Sequence, residues 1–513
     1  GKRQAIGVYE VFAGESHELR AAKRASREVV TAAVASMSAG DFVGASAALA
    51  LFAPARPAAA AGLFFSDRGV RPLGRGGAFV AAPDDLGAIW YNPAGLVDCG
   101  TQLLIDGSNL NFDADYKRRS NVTDANGTVR TYEYPTVHGS TPVLPLPTIA
   151  FSQRYGDNWT FAGGILAPYA PLVSYPATVD GKPSPARYSL VTLDGSALSY
   201  VGAYAGYKAS KTLNVGFGLV TLVGTFKSTV VLSASPPDRL VAAPEDPAYD
   251  TVGQITASPI VAPTLTAGVS WAPDPHIRIG ASALGPMYVY APAKMKLRLP
   301  TAAVFDGASQ SGDSGTVSFW LPPVIRAGLE YRTDLGKESS FRAEVAYVRE
   351  FWSVHKSIDV DASGTKLLGV KGFPSPFGVP PLSIPRNFQD ANSLRVGAEI
   401  RFPGLATGYP VALRAGAQYE GSAVPNAWTS VLSADSKKLI ASIGGSLYLK
   451  EKWRFDAVFA QAFVDDVTVD PATAAAPRIN PVTGNATKSE AINGGSYAFK
   501  ANLIGFGLVY KWN

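Results

Sequence analysis

Three arginines stand on the polar side of alternating segments, Arg326, Arg395 and Arg414, each followed at short range by an acid, Glu330, Glu399 or Glu420. An arginine fork binds a carboxylate bidentately, so each can meet an acidic ligand or pair with its neighbouring glutamate. A second group is Asp84-Asp85, followed by Asn92-Pro93-Ala94-Gly95-Leu96. Proline fixes its own φ and biases Asn92 away from helix, while Gly95 permits positive φ, so a tight turn is forced. Ahead of it, Asp84 to Tyr91 reads as a short helix capped by the aspartates, with Leu86, Ile89 and Trp90 on one face. A third group is Gly163-Gly164 with Pro168. Two residues without side chains and a proline without an N–H predict a local loss of strand pairing and a bend.

Catalytic chemistry finds no support. His17, His138, His276 and His355 are scattered, two of them in long connections and one in a turn, and all four read as solvated. None can join a serine and an acid, nor do they show the spacing of a zinc site. Cys99 is the only cysteine, so no intrachain disulfide or thiolate cluster forms. The glycine-rich run Leu73 to Ala78 lacks the strand, spacing and lysine of a phosphate loop. No enzyme activity, metal or cofactor is expected.

The elements that carry these residues have a period of two. Ile325, Ala327, Leu329 and Tyr331 alternate with Arg326, Gly328, Glu330 and Arg332; Leu394 to Phe402, Val411 to Glu420 and Trp453 to Phe459 behave alike. One face is apolar and the other carries arginine and glutamate, the pattern of an apolar outside around a wet lumen. Strands are expected near 102–114, 145–155, 158–167, 197–208, 211–223, 260–272, 276–289, 317–332, 339–349, 393–402, 410–420, 437–449, 452–463 and 499–512. That is about fourteen, an even number as barrels require. Short connections such as Gly156-Asp157 and Lys450-Glu451 alternate with long ones, which predicts an all-β transmembrane antiparallel β-barrel with its ends on the short-turn side. So wide a barrel needs a plug, and residues 61–100 with their short helices are assigned as an N-terminal hatch inside a barrel of residues 101–513.

Composition agrees. Only 17 % of the 513 residues are charged, 51 are glycine, and the net charge is +5, which offers no basic surface for nucleic acid. No run of about twenty apolar residues follows residue 61, so helical spanning is excluded. Long connections such as Lys366 to Pro385, Pro142 to Pro147, Tyr169 to Tyr175 and Gly285 to Pro292 are apolar and proline-stiffened. Exposed apolar patches mark ligand capture; packing of these segments on each other over the barrel mouth is the other reading. Residues 1–60 stand apart as a helical, signal-like extension. Phe42 to Phe52 with Ala58-Ala59-Ala60 fits a secretory signal; Gly1 to Phe12, with the alanine-rich stretch after it, resembles the tail of a class III nucleotide cyclase domain.

The run RGGAFVAAPDDLGAIWYNPAGL, Arg75 to Leu96, resembles the hatch of the FadL-type outer-membrane transporters of long-chain fatty acids and hydrocarbons. A weaker echo is Asn387-Phe388-Gln389-Asp390, where that family tends to carry tryptophan at the Phe388 position. Ile504 to Trp512 resembles the aromatic-ended final strand read by barrel assembly machinery. The resemblance implies a monomer integral to the outer membrane of a Gram-negative bacterium, in contact with outer-membrane lipid. Its partner would be a hydrophobic small molecule: a fatty acid, an alkane or an aromatic hydrocarbon. It also implies a hatch gate at Asp84, Asp85, Asn92, Pro93, Ala94 and Gly95, and a kinked third strand at Gly163, Gly164 and Pro168 that opens sideways beside the Asn92 turn. A general diffusion porin or a structural barrel is the alternative reading.

Overall fold

The computed structural model describes residues 67–123, 128–141, 145–169, 173–234, 246–336, 339–404, 408–433, 435–450, 452–481 and 491–512. The expected extension at 1–60, with its signal-like and cyclase-like stretches, lies outside them, as do the first residues of the hatch. Among the described residues, no helix is long and apolar enough to cross a membrane.

Fourteen antiparallel strands close into a barrel. They are β1 Gln102–Thr123, β2 Pro145–Tyr155, β3 Trp159–Tyr169, β4 Ala197–Lys208, β5 Leu213–Ser233 and β6 Asp250–Asp274. Four strands are built from two segments: β7 from Ile277–Leu284 and Met287–Arg298, β8 from Ser309–Leu321 and Val324–Asp334, β9 from Ser340–Glu350 and Ser357–Leu368, β10 from Leu382–Pro385 and Ala391–Phe402. The last are β11 Val411–Glu420, β12 Lys438–Leu449, β13 Trp453–Val464 and β14 Gly495–Lys511. β1 closes on β14 from Gln102↔Lys511 upward, and a returning strand, Val129–Ser140, extends the upper half of β1.

Alternation turns into position as expected. Ile105, Phe151, Phe161, Leu265, Leu329, Phe459 and Phe506 point outward and are exposed, an arrangement stable only in lipid. Trp271, Trp453 and Trp512 edge this belt on the short-turn side; Tyr288, Tyr290, Trp320 and Tyr347 edge it on the other, as interfacial girdles do.

Several strands run well past their expected ends. Gly285 to Pro292, expected as a connection, is largely strand, because β7 continues through Met287–Arg298. Beyond the girdle the outward residues change from apolar to polar, as at exposed Lys294 and Lys296, while Met287, Val289, Ala291 and Met295 still face inward. The ladder outlasts the lipid. Of the histidines, His138 lies in the strand Val129–Ser140 and is exposed, whereas His355 is buried between the segments of β9 rather than solvated. Its Nδ1 lies 2.7 Å from the Trp320 carbonyl oxygen.

Candidate functional site

The hatch enters the lumen as short elements joined by turns: α1 Val70–Leu73, α2 Ala88–Tyr91, a 3₁₀ turn Pro93–Gly95 and α3 Leu96–Cys99. The helix expected from Asp84 starts only at Ala88, and no side chain caps it. Asp85 Oδ1 accepts from Gly87 N at 2.9 Å, but both aspartates are mainly committed to arginines. Arg71 donates to Asp84 Oδ1 at 2.6 Å and to Asp85 Oδ2 at 3.3 Å, while its Nε and Nη2 grip both oxygens of Glu399 on β10 at 3.0 and 2.8 Å. Arg342 of β9 reaches Asp84 at 2.8 Å, and Arg454 of β13 reaches Asp85 at 2.7 Å. Burial alone would raise the Asp84 and Asp85 carboxyls; Arg342 and Arg71 hold the first, and Arg454 and Arg71 the second, below the ordinary carboxylate range.

Arg75, fully buried, lies between two acids of facing strands. Glu330 and Glu344 are direct partners across β8 and β9, a like-charge pair that repels. Arg75 Nη2 sits 3.0 Å from one and 3.4 Å from the other. Glu344 also accepts from the backbone N–H groups of Val80 and Ala81 at 2.5 and 2.9 Å. The wall therefore satisfies hatch backbone that no helix serves.

Asn92 organises the turn. Its Oδ1 accepts from Ala94 N at 3.1 Å; its Nδ2 donates to Val80 O at 2.8 Å and to Val269 O of β6 at 2.9 Å. Pro93, Ala94 and Gly95 form the buried 3₁₀ turn and rest against glycines of β5 and β6, Gly216 and Gly268, where any Cβ would collide with Asn92, Pro93 or Ala94. The expected Asn92 neighbour was the third strand; it is instead β6. At Gly164 of β3 the hatch residue in contact is Ile89, 2.7 Å from where a Cβ would lie.

The third strand also differs from expectation. Both ladders run unbroken through the glycine pair, Phe151↔Gly163 and Ala150↔Gly164 on one side, Gly163↔Ala203 and Gly164↔Gly202 on the other. The register shift comes later, between Leu166 and Tyr169, the interval that holds Pro168. Glycines keep their backbone donors and acceptors, so their lack of side chains leaves pairing intact; proline has no N–H to give.

The three arginines separate. Arg395 pairs with Asp67 of the hatch, and Arg414 with Glu399 and Asp456. None takes its expected glutamate, because residues four or six apart on one strand are separated by about 13 Å or more, whereas Glu399 and Arg414 are direct cross-strand partners. Glu330 goes to Arg75 and Arg342, and Glu420 to Lys438. Arg326 is 4 % exposed, has no ion pair or hydrogen bond among the described residues, and lies 5.4 Å from the Trp90 ring centre.

Above Trp90 the lumen lining is mainly apolar, so the wet face read from the arginines and glutamates is confined to the lower part. Leu166, Tyr200, Leu222, Leu284, Val348 and Trp352 continue one buried cluster up from Trp90. Further out, the connections pack on each other: Val173, Tyr175, Leu190 and Val431 bury against Tyr116 and Tyr497, whose rings stack at 4.5 Å. Lys366 to Pro385 also turns Leu367, Val370, Val379 and Leu382 inward, leaving Phe373 exposed. A pattern in the sequence marks where the hatch abuts the wall: Arg-x-Gly-x-Glu or Gln recurs at 326–330, 395–399 and 414–418. Gly328, Gly397 and Gly416 are the points where Val80, Ala81, Arg75 and Gly76 press against the strands.

A family model described as outer membrane protein transport protein (OMPP1/FadL/TodX) matches residues 51–500. Among solved structures, a Pseudomonas aeruginosa FadL homologue is similar at 15 % identity, covering 88 % of this chain and 100 % of its own, with a TM-score of 0.62. The P. putida toluene transporter TodX is 13 % identical over 87 % of this chain and 99 % of its own, TM-score 0.56. The Ralstonia pickettii toluene transporter TbuX is 16 % identical over 87 % and 99 %, TM-score 0.53. No curated protein matches the chain in sequence.

Proposed function

Since the chain belongs to the outer membrane protein transport family (OMPP1/FadL/TodX), whose members carry hydrophobic compounds across the outer membrane, we propose that this barrel admits such compounds passively through a hatch-gated lumen. It is an outer-membrane transporter rather than an enzyme. The observation that carries the gating reading is the division of the lumen: an apolar lining above Trp90 and a charged floor in which Arg71, Arg75, Asp84 and Asp85 tie the hatch to the wall. Apolar cargo gains free energy by leaving water for such a lining. The floor, whose bonds are polar, must rearrange before anything passes.

Arg326 is the one of the three candidate arginines with no acid to bind, and it is assigned to the polar head of any cargo that has one. Release sideways beside β3 remains the proposed exit, now tied to the register shift at Ala167-Pro168 rather than to a gap at the glycines. Labelled toluene and labelled dodecane uptake by cells with and without the protein tests the transport reading; equal rates in both would overturn it. For the exit, Gly164→Val pushes against Ile89 of the hatch, whereas Gly163 faces outward with only the Gly202 carbonyl within 4 Å, at 3.8 Å. A sideways exit here predicts that stiffening by Gly163→Val also slows uptake; unchanged uptake in that variant would confine the role of the pair to making room for the hatch.

A further inference from the structure

Beyond the upper girdle, β5, β6 and β7 run side by side above the lipid, and their outward positions form a lattice. Lys227, Thr256 and Lys294 lie directly opposite one another in one row, and Thr229, Gln254 and Lys296 in the next. That these positions face outward follows from their neighbours: Ile255, Ala257, Ala293 and Met295 are buried against the lumen, and successive residues of a strand point to opposite faces. Three lysines and three neutral hydrogen-bonding side chains therefore share one patch of sheet, with no acid among them.

Lys294 and Lys296 are exposed, and Lys227 is half-buried beside Gly195. Lys294 Nζ stands 3.6 Å from Asp313 of β8, while Lys227 and Lys296 have no ion pair among the described residues. Elsewhere on the outer rim cations are matched: Lys117 and Arg119 with Glu133 at 2.9 and 2.5 Å, and Lys371 with Asp306 at 3.3 Å. Lys294 and Lys296 are two residues apart on one face, about 7 Å, where like charges repel. A rim that balances its charge elsewhere but not here marks a place for an anion from outside.

Depth decides which anion. Tyr290 edges the lipid belt on β7, and Lys294 lies four residues, about 13 Å, farther out along the strand. Below the patch Val261 and Leu265 of β6 are exposed to acyl chains. A lipid whose tails lie on β6 and whose phosphates sit on sugars above the girdle meets both regions at once. Lys227 and Lys294, two strands and about 10 Å apart at the backbone, are spread widely enough for more than one phosphate.

We propose that Lys227, Lys294 and Lys296 form a binding site for the phosphates of lipopolysaccharide, the phosphorylated glycolipid of the outer leaflet. The Thr256 hydroxyl lies between two of the lysines, and Gln254, whose Nε2 donates one hydrogen to Thr229 Oγ1 at 3.3 Å, retains a second. Lysine meets phosphate as a point charge, and each lysine beside an anionic lipid surface is worth about fivefold in affinity. The patch is on the outside of the barrel and separate from the cargo path through the lumen.

The test is native mass spectrometry of the purified full-length barrel titrated with bis-phosphorylated lipid A, with the same lipid stripped of both phosphates, and with inorganic phosphate. The wild-type protein should bind the phosphorylated lipid about a hundredfold more tightly than the stripped one. Lys296→Ala should weaken that binding about fivefold, and alanine at all three positions about a hundredfold, to the level of the stripped lipid. Arginine at all three, which keeps the charge, should retain most of it. Lys117→Ala, which removes a lysine already matched by Glu133, should change nothing. Heat-modifiable migration of each variant on a gel checks that the barrel has formed. Equal binding of phosphorylated and stripped lipid by the wild type would overturn the site, as would undiminished binding by Lys296→Ala or an equal loss in Lys117→Ala. Displacement of the lipid by an equal concentration of inorganic phosphate would show a plain anion site and overturn the assignment to lipopolysaccharide.

Discussion

The lower and upper halves of the lumen are built on opposite rules from the same strands. Below Trp90 the inward positions of β8 to β13 are charged, and nearly every charge has a partner across the strand or in the hatch. Above it the inward positions are mainly apolar, and two buried arginines, Arg326 and Arg386, have no ion-pair partner among the described residues, although Arg187 there pairs with Asp250 at 2.8 Å. Paired charge gives a floor that is specific in register and can exchange partners, because Arg71, Arg75, Arg342, Arg414 and Arg454 each touch more than one acid. Unpaired charge in apolar surroundings gives little to stability. A buried ion pair is weak evidence of stabilisation, yet removing one member of it is strongly destabilising; the two halves should therefore answer to mutation in opposite ways.

The largest effect is expected in the floor. Arg75→Ala removes the one cation that Glu330 and Glu344 share, leaving Glu344 facing a Glu330 that Arg342 still holds, which should cost about 3–5 kcal/mol of hatch docking. In planar bilayers the variant should conduct like an open porin, and protease added from the short-turn side should cut within residues 67–100. A closed, protease-resistant channel would mean that the polar contacts of the hatch are incidental. Gly416→Val tests the same docking by shape, since its side chain would run into the backbone at Arg75 and Gly76, and a similar rise in conductance is expected.

The upper half should respond in cargo binding instead. Arg326→Ala removes a buried charge without breaking an ion pair, so thermal stability should hold or rise. Affinity for an acidic cargo should fall by about 1.5–3 kcal/mol, the range of a hydrogen bond to a charged group, with neutral cargo unaffected. Binding titrations of dodecanoate and dodecanol on the variant separate these. A loss of stability comparable to that of Arg75→Ala would erase the distinction between the halves.

The sequence was most legible where one periodicity decided one outcome. Ile325 to Arg332 could be assigned to outside and inside because a period of two leaves no third option, and all fourteen strands were found on that basis. It was less legible at strand ends, where Lys294 and Lys296 replace outward apolar residues although Met287 to Met295 continue inward. The outward pattern reports lipid, and the ladder extends beyond lipid. Partner choice was hidden for a different reason. That Arg414 faces Glu399 depends on the register between β10 and β11, and that Arg75 bridges Glu330 and Glu344 depends on how a non-periodic segment is threaded through the lumen. Neither is encoded in spacing along one strand. The Arg-x-Gly-x-Glu repeat was visible in the sequence, but its meaning needed the hatch beside it.

The smallest effect, and the one that compares the halves in a single experiment, is that of pH. Asp84 and Asp85 are held below the ordinary carboxylate range when the hatch is docked, and in an undocked hatch they return toward about 3.9. A carboxyl depressed in the docked state adds stability at pH above its undocked value, and that contribution is lost only as pH falls through the docked value. Conductance should therefore stay low from pH 8 down to about 4 and rise only below it. The arginines of the upper lumen do not titrate in this window, but an acidic cargo does, near pH 4 to 5 as for a glutamate side chain, about 4.3. Dodecanoate binding should thus weaken toward that of dodecanol as pH falls, before the hatch gives way. Opening of the channel between pH 7 and 5, ahead of any loss of acid binding, would show that the floor is not held by Asp84 and Asp85 in the way their contacts with Arg71, Arg342 and Arg454 imply.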